Sequence, residues 1–298
     1  MQPSIIKISK IHYQLSETHP IIGSCNLHPA RSEPRWDMHY GLELGLVYWG
    51  VQHRLFQQKF EMDVKPGDVW FCGMWEPHGA SVITAPCEVL VFKIWPPFLA
   101  QMRFPEAPDF NALGLFNAPP KRRPRIDRKQ RETMINFSKQ LKQILTFDTP
   151  YQAVKLRLVL LEMLACICEA WPEAACRGRR APSKEFSQIN RALEMVFDNQ
   201  AFVATADAAR ACGMNRHAFS TLFRSWMNIS FAEFSARHRL HQAIAQLRDT
   251  DDPVKSVVMK WGYVDESHFY RIFFKHFGFS PGEYRKKLCN EQNSGRNL

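Results

Sequence analysis

Residues 261–278 read WGYVDESHFYRIFFKHFG, and residues 213–226 read GMNRHAFSTLFRSW. In each segment a glycine is followed by a good helix N-cap, Asp265 in one and Asn215 in the other. A glycine can adopt the positive φ that a tight corner between two helices needs. Apolar residues then recur at helical spacing, and they predict one buried face per helix: Phe269, Ile272, Phe273 and Phe277, and likewise Phe219, Leu222, Phe223 and Trp226. The sequence therefore predicts the same helix-turn-helix unit twice.

Neighbouring segments complete this duplicated region. Residues 204–212 and 254–260 are predicted as the supporting helices, and residues 231–248 as one amphipathic connecting helix. If both second helices lay on one face about 34 Å apart, a single chain would reach two successive major-groove segments of B-DNA. The alternative is a helical bundle whose aromatic stripes serve only as core.

Polar side chains project from the faces opposite the apolar stripes, at about 100° per residue. The residues predicted to contact DNA on and beside these faces are Arg216, His217, Ser220, Thr221, Arg224, Glu266, Ser267, His268 and Arg271. Arginine can pair with the O6 and N7 atoms of guanine, whereas histidine, serine and threonine contact base edges or phosphates less selectively. A plain bundle leaves this outward polar set unexplained.

Residues 189–285 resemble the DNA-binding domain of AraC-type regulators. The resemblance rests on ALEMVFDN, on AARACGMNRHAFSTLFR and on WGYVDESHFYRIFFKHFGFSPGEYR, which ends in the family's Phe-Gly, Pro and Tyr-Arg. It implies that the second helix of each unit contacts bases or the DNA backbone. Thr221 stands where many relatives carry Arg, and Phe274 replaces a common basic residue. The resemblance therefore implies fewer DNA contacts at these two positions.

Charge is spread unevenly along the 298 residues, whose formal net charge is +10. Residues 1–116 carry 9 Lys+Arg and 11 Asp+Glu, residues 117–182 carry 14 and 6, and residues 183–298 carry 16 and 12. A basic second half suits double-stranded DNA as the partner. Eight cysteines without Cys-x-x-Cys pairs predict reduced thiols. No leader-like N-terminus and no run of about 18 apolar residues occurs, which predicts a cytoplasmic protein without a membrane partner.

Residues 35–95 alternate short apolar runs with turn residues, a pattern that favours a β-barrel. WDMHYGLELGLVYWG, residues 36–50, resembles the first cupin motif of AraC-type sensor domains, with Asp37, His39 and Glu43 spaced as His-x-His-x3-Glu except for the first position. Together with His78 these residues could bind a metal ion. The second half of the motif is degraded around residues 73–75. We therefore predict no metal, no cofactor and no catalysis.

A small polar effector, with a sugar as the example, is the predicted ligand of the barrel. Five tryptophans between residues 36 and 95 exceed what such a barrel needs, and indole rings stack on the apolar faces of sugars while Glu, His and Lys bind the hydroxyls. For any one tryptophan the alternative is a core role. The predicted effector-binding residues are Trp36, His39, Glu43, Trp49, Trp75, His78, Lys93 and Trp95.

Between these regions, residues 128–145 and 152–171 are predicted as an antiparallel helix pair, with Leu158, Leu161, Leu164 and Ala165 forming the stripe of the second helix. This pair either covers the barrel or forms a dimer interface. The basic, proline-rich residues 117–125 are predicted to hold no regular element.

The fold class predicted is α+β: an N-terminal cupin-like β-barrel with a helical pair, then an all-α C-terminal domain with two helix-turn-helix units. The predicted boundaries are 1–116 for the barrel, 117–171 for the helical pair, 172–186 for a linker, 187–287 for the DNA-binding domain and 288–298 for a tail. The predicted function is a homodimeric, effector-controlled transcription regulator, with RNA polymerase as a further candidate partner. Two alternatives stay open: a metal-dependent cupin enzyme fused to a DNA-binding domain, and a constitutive regulator whose barrel serves only for dimerisation.

Overall fold

The computed structural model describes residues 8–11, 13–56, 60–102, 104–107, 110–171, 184–227, 229–277 and 279–286. Most of the predicted linker and the whole predicted tail lie outside these residues. The chain divides into two compact units. The first comprises Met1–Asn190 with Ser225–Asn228, and the second comprises Arg191–Arg224 with Ile229–Leu298.

Seven strands of the first unit form one sheet. They are β1 (Ile8–Ile11), β2 (Ile21–His28), β3 (Arg35–His39), β4 (Leu42–Phe56), β5 (Phe60–Val64), β6 (Val69–Cys72) and β7 (His78–Ile94). The sheet order is β1-β3-β7-β4-β5, while β2 also pairs with β7 and β6 with β4. The pairing is antiparallel except between β1 and β3.

The long strands β4 and β7 form the centre of this sheet and pair from Leu42–Ile94 to Phe56–His78. The predicted turn at Lys65–Asp68 joins β5 to β6, with the Asp68 amide donating to the Lys65 carbonyl and Gly67 at a φ of 87°. Side chains from β2, β3, β4, β6 and β7 line a single cavity, so the sheet curls around it.

Helices follow the sheet in the first unit. They are α1 (Pro96–Ala100), α2 (Leu113–Asn117), α3 (Arg128–Thr146) and α4 (Gln152–Ala170), with a 3-10 turn at Pro120–Arg122. That turn corrects the prediction that residues 117–125 hold no regular element, because a proline's fixed φ suits the first position of a helical turn. The predicted stripe of α4 is also wrong in part: Leu158 is 61% exposed, and the buried residues include Leu156, Val159 and Leu160.

The remaining helices are α5 (Lys184–Asp198), α6 (Thr205–Ala211), α7 (Arg216–Met227), α8 (Phe231–Asp249), α9 (Val254–Lys260) and α10 (Glu266–Phe277). The predicted α+β fold, with an N-terminal sheet and a helical C-terminal domain, is confirmed. Within the described part of the chain, no helix combines the length and the apolar character needed to cross a membrane.

Candidate functional site

Glu43 is the centre of a buried charge cluster inside the sheet. Its Oε1 accepts hydrogen bonds from Trp70 Nε1 at 2.6 Å and from Arg54 Nη2 at 3.0 Å, and its Oε2 accepts from the Lys93 ammonium. Burial opposes the ionised form, but the charges of Lys93 and His78 outweigh burial and hold the pKa of Glu43 well below its ordinary value. Glu43 is therefore a carboxylate inside the barrel.

Two histidines complete this cluster. His39 Nε2 lies 3.3 Å from Glu43 Oε2, and His78 Nε2 lies 2.7 Å from Asp37 Oδ1. The Nδ1 atom of each ring lies 2.8 Å from a backbone carbonyl oxygen, which fixes its orientation. Burial opposes protonation of His78, but the neighbouring Cys72 and Glu43 and the contact with Asp37 raise its pKa well above the ordinary value.

A cavity of about 660 Å³ opens beside this cluster. Its volume lies within the range of small-molecule sites. Three of the predicted effector-binding residues, Glu43, His78 and Lys93, line it. His39 is not among the lining residues, but it contacts Glu43.

The four predicted tryptophans are not among the residues that line the cavity. Trp49 is 62% exposed, whereas Trp75 and Trp95 are buried elsewhere and Trp36 is half-buried. Trp70 lines the cavity instead, and the Arg54 guanidinium lies 4.4 Å from the centre of its ring. The indole surface on which we predicted a sugar to stack is thus not in place.

Several polar residues that line the cavity were not predicted from the sequence: Tyr13, His28, Arg31, Arg35, Gln52 and Arg54. Most of them lie on β2, β3 and β4. Because alternate residues of a strand share one face of the sheet, the sequence could have predicted the side on which His28 of β2 and Arg35 of β3 lie.

Two groups of three side chains have the composition of a metal site: Asp37, His39 and His78, and Glu43, Cys72 and His78. The ligand atoms within each group lie within 4.8 Å of one another. The surrounding charges do not fit a metal ion, because Lys93 and Arg54 already contact Glu43. A divalent cation here would be repelled by two buried positive charges.

The two predicted helix-turn-helix corners are built alike. Gly213 has a φ of 65° and Gly262 a φ of 67°. Asn215 Oδ1 then accepts from the amide of Ala218 at 2.8 Å, and Asp265 Oδ1 accepts from that of His268 at 2.7 Å. Helices α7 and α10 start one residue after these caps and correspond residue for residue at an offset of 50. The turn before α10 is one residue longer and contains Val264, which is 94% exposed.

Four of the six aromatic residues predicted for the core of the second helices are fully buried: Phe219 and Phe223 of α7, and Phe269 and Phe273 of α10. Trp226 is half-buried, and the side chain of Phe277 lies outside the described residues. The predicted DNA-contacting residues Arg216, His217, Ser220, Thr221, Arg224, Ser267, His268 and Arg271 are exposed, and Glu266 is half-buried. Their contact with DNA stays a prediction.

The exposed ridges of the two helices differ in chemistry. The α7 ridge is polar throughout, at His217, Ser220, Thr221 and Arg224. At the matching positions α10 exposes Ser267, Tyr270, Arg271 and Phe274, so half of its ridge is aromatic. Phe274 is 59% exposed, and the sequence analysis treated it as a lost contact.

Arg239 of the connecting helix α8 is a structural residue that the sequence analysis missed. Its Nη1 donates to the carbonyl oxygens of Trp261 and Gly262 at 3.3 and 2.9 Å. Its guanidinium also lies 5.1 Å from the centre of the Tyr263 ring. Arg239 thus fixes the second corner to the connecting helix.

Comparison with known proteins identifies the helical region. A family model described as a helix-turn-helix domain matches residues 208–287. Over 80 residues, the chain is 30% identical to the regulatory protein SoxS of Salmonella typhimurium, an alignment that covers 27% of this chain and 75% of SoxS. The chain belongs to the AraC family of helix-turn-helix regulators.

Two further comparisons cover more of the chain. The transcriptional activator RhaR of Mannheimia succiniciproducens is 29% identical over 121 residues, which are 39% of this chain and 44% of RhaR. The match thus spans less than half the length of RhaR. The structure of Vibrio cholerae ToxT bound to an unsaturated fatty acid aligns with 89% of this chain and 95% of its own, at 12% identity and a TM-score of 0.49.

Proposed function

We propose that this AraC-family chain is a sequence-specific DNA-binding transcription regulator controlled by a small polar effector in its N-terminal barrel. One observation carries the proposal: two equivalent helices, each placed by a glycine corner and a capping side chain, bury an aromatic face and expose polar side chains on the opposite ridge, which in α10 also includes Tyr270 and Phe274. Such ridges suit the major groove, where each base pair presents a distinct set of donors and acceptors.

Selection of bound fragments from a random DNA pool with the full chain tests this function. We expect one enriched sequence with two half-sites about one helical turn apart, because each recognition helix reads one major-groove segment. Binding that does not distinguish the selected fragment from unrelated DNA would contradict the proposal.

Arg271→Ala should weaken binding to the selected fragment by roughly 1–3 kcal/mol if Arg271 reads a base, and much less to unrelated DNA. Fluorescence anisotropy at one fixed salt concentration measures both affinities. Arg128→Ala, an exposed change in α3 of the other unit, is the matched control and should leave both affinities unchanged. Equal weakening on both DNAs would instead assign Arg271 to a phosphate contact.

Control by an effector is supported by the cavity beside Glu43, His78 and Lys93. The sugar proposed from the sequence loses its stacking surface, so the broader ligand class, a small polar molecule, is the one we retain. Coupling between effector and DNA must be reciprocal, so operator DNA should change effector affinity by the same factor. Strictly independent binding of the two would contradict effector control.

We propose a sensor in the cytoplasm and not an enzyme, since Lys93 and Arg54 occupy the carboxylate that a metal cupin would use. Metal analysis of the purified protein tests this. Stoichiometric iron, manganese or zinc would favour the fused cupin enzyme, and its absence would favour the sensor. RNA polymerase remains a candidate partner of the DNA-bound form.

We also propose a homodimer that forms through α4. Tyr151, Val154 and Leu158 are exposed at the spacing of a coiled-coil seam, with side-chain exposures of 70%, 53% and 61%. Leu158→Glu should convert the dimer to a monomer in light scattering after gel filtration, because it places a charge in the apolar seam. Glu162→Gln, an exposed change on the same helix, is the control. A wild-type monomer at micromolar concentration would contradict this interface.

A further inference from the structure

The cavity of the barrel has more positive than negative side chains. Its acidic and basic lining residues are His28, Arg31, Arg35, Asp37, Glu43, Arg54, His78 and Lys93. The single carboxylate of Glu43 accepts hydrogen bonds from both Arg54 and Lys93. Asp37 is paired with His78 at 2.7 Å. Both carboxylates are therefore already used by neighbouring cations.

Two arginines of this lining, Arg31 and Arg35, are exposed. Among the residues that the structure describes, no carboxylate oxygen lies within 4.0 Å of either guanidinium group.

Arg35 and Arg54 lie in one row across three neighbouring strands. Arg35 of β3 and Arg54 of β4 both pair with Ala80 of β7, one from each side. All three residues line the cavity. Alanine adds only a methyl group to the cavity wall between the two strands. The exposed Arg35 guanidinium presents a fork of N–H donors that matches a carboxylate or a phosphate, and the Arg54 guanidinium, which already donates to Gln52 and Glu43, adds its positive charge.

His28, which also lines the cavity, lies close enough to Arg35 and Arg54 for their charges to affect its pKa. Burial lowers its pKa below the ordinary value, and the positive charges of Arg35 and Arg54 lower it further. A neutral ligand would leave this excess of positive charge in place, whereas an anion would offset it.

We propose that the effector is a small anion whose carboxylate or phosphate group is bound between Arg35 and Arg54 over Ala80. The inference rests on the proposed role of the barrel as the effector site. The inferred ligand is acidic, whereas the sugar predicted from the sequence is neutral. A sugar acid, a sugar phosphate or another small carboxylate would fit this class.

The test is thermal denaturation of the full chain with inorganic phosphate or acetate, at an ionic strength held constant with sodium chloride. We expect a saturable rise in Tm with at least one of the two anions, because a ligand that binds the native state stabilises it by mass action. Arg35→Gln should weaken this binding roughly tenfold, the size of one charge-assisted hydrogen bond. Arg35 is exposed, so the variant should fold.

Two further variants locate the effect. Arg128→Gln, an exposed change in α3, should keep the full anion response, so a response lost in Arg35→Gln and kept in this control is assigned to the cavity. Ala80→Glu places a tethered carboxylate between the arginines and should abolish the response. No response in the wild type, or an equal response in Arg35→Gln, overturns the proposal. The DNA selection experiment tests the proposed function independently of the anion response. If the protein selects a specific DNA sequence but shows no anion response, the anionic-effector inference is refuted and the regulator function is not.

Discussion

Glu43→Gln is expected to lower the free energy of unfolding by about 3–5 kcal/mol, because removing one partner of a buried ion pair leaves the other charges uncompensated. Lys93, Arg54 and His78 are all buried around this carboxylate. Glutamine keeps the size of the side chain, so the loss reports charge and not packing. Urea denaturation at pH 7, followed by tryptophan fluorescence, measures it.

The control for this change is Glu61→Gln on β5, where the carboxylate is 67% exposed. That substitution should change stability by less than about 0.5 kcal/mol. The double variant Glu43→Gln with Lys93→Met should recover part of the lost stability, because it removes one of the buried positive charges that Glu43→Gln leaves without a carboxylate partner. Equal stability of Glu43→Gln and the wild type would show that the cluster does not need its carboxylate.

The effect of Glu43 should also depend on pH. The folded-state pKa of Glu43 lies well below its ordinary value of 4.5, so its stabilising contribution is complete above that value and is lost as the pH falls through the folded pKa. The difference in the free energy of unfolding between wild type and Glu43→Gln should therefore be largest at neutral pH and should decrease as the pH falls into the acid range. A difference that grows in acid would contradict this assignment.

Phe273→Ala is expected to cost about 3–5 kcal/mol of stability, through the cavity left in a packed aromatic core. Phe273 is fully buried, and its ring contacts Phe269 and Tyr284 at centroid distances of 5.7 and 5.6 Å. The loss should appear as a lower urea midpoint for the helical domain, measured by circular dichroism.

The next residue provides an unusually close control. Phe274→Ala removes the same side chain from the same helix, but at a position that is 59% exposed, so it should change stability by less than about 0.5 kcal/mol. Similar losses for the two variants would show that the aromatic stripe of α10 is not oriented as described.

The helix-turn-helix units could be predicted from the sequence because their signals are local. A 3.6-residue period placed Phe219, Phe223, Phe269 and Phe273 in the core, and the glycine and cap positions marked each corner. The same method chose the wrong face at Leu158 of α4, because that helix is apolar on most sides and periodicity cannot distinguish the buried one.

The sequence predicted Glu43, His78 and Lys93 in the lining of the cavity but not Arg54, for a reason visible in β4. Glu43 and Arg54 are an odd number of residues apart, so in a regular strand they would point to opposite faces of the sheet. Register shifts against β7 between Val47 and Gln52 restore them to one side. The same irregular stretch contains Trp49, which the predicted pocket included and which the structure exposes.

Helices α7 and α10 correspond residue for residue at an offset of 50, and the additional residue Val264 comes before the cap. If both helices contact DNA as proposed, segments 216–224 and 266–274 should be interchangeable without a change of length at either corner. Exchanging them would swap the order of the two half-operators along the DNA, and a chain with two copies of one segment would favour a direct repeat. The duplicated architecture thus offers a modular route to new operator specificities within one polypeptide.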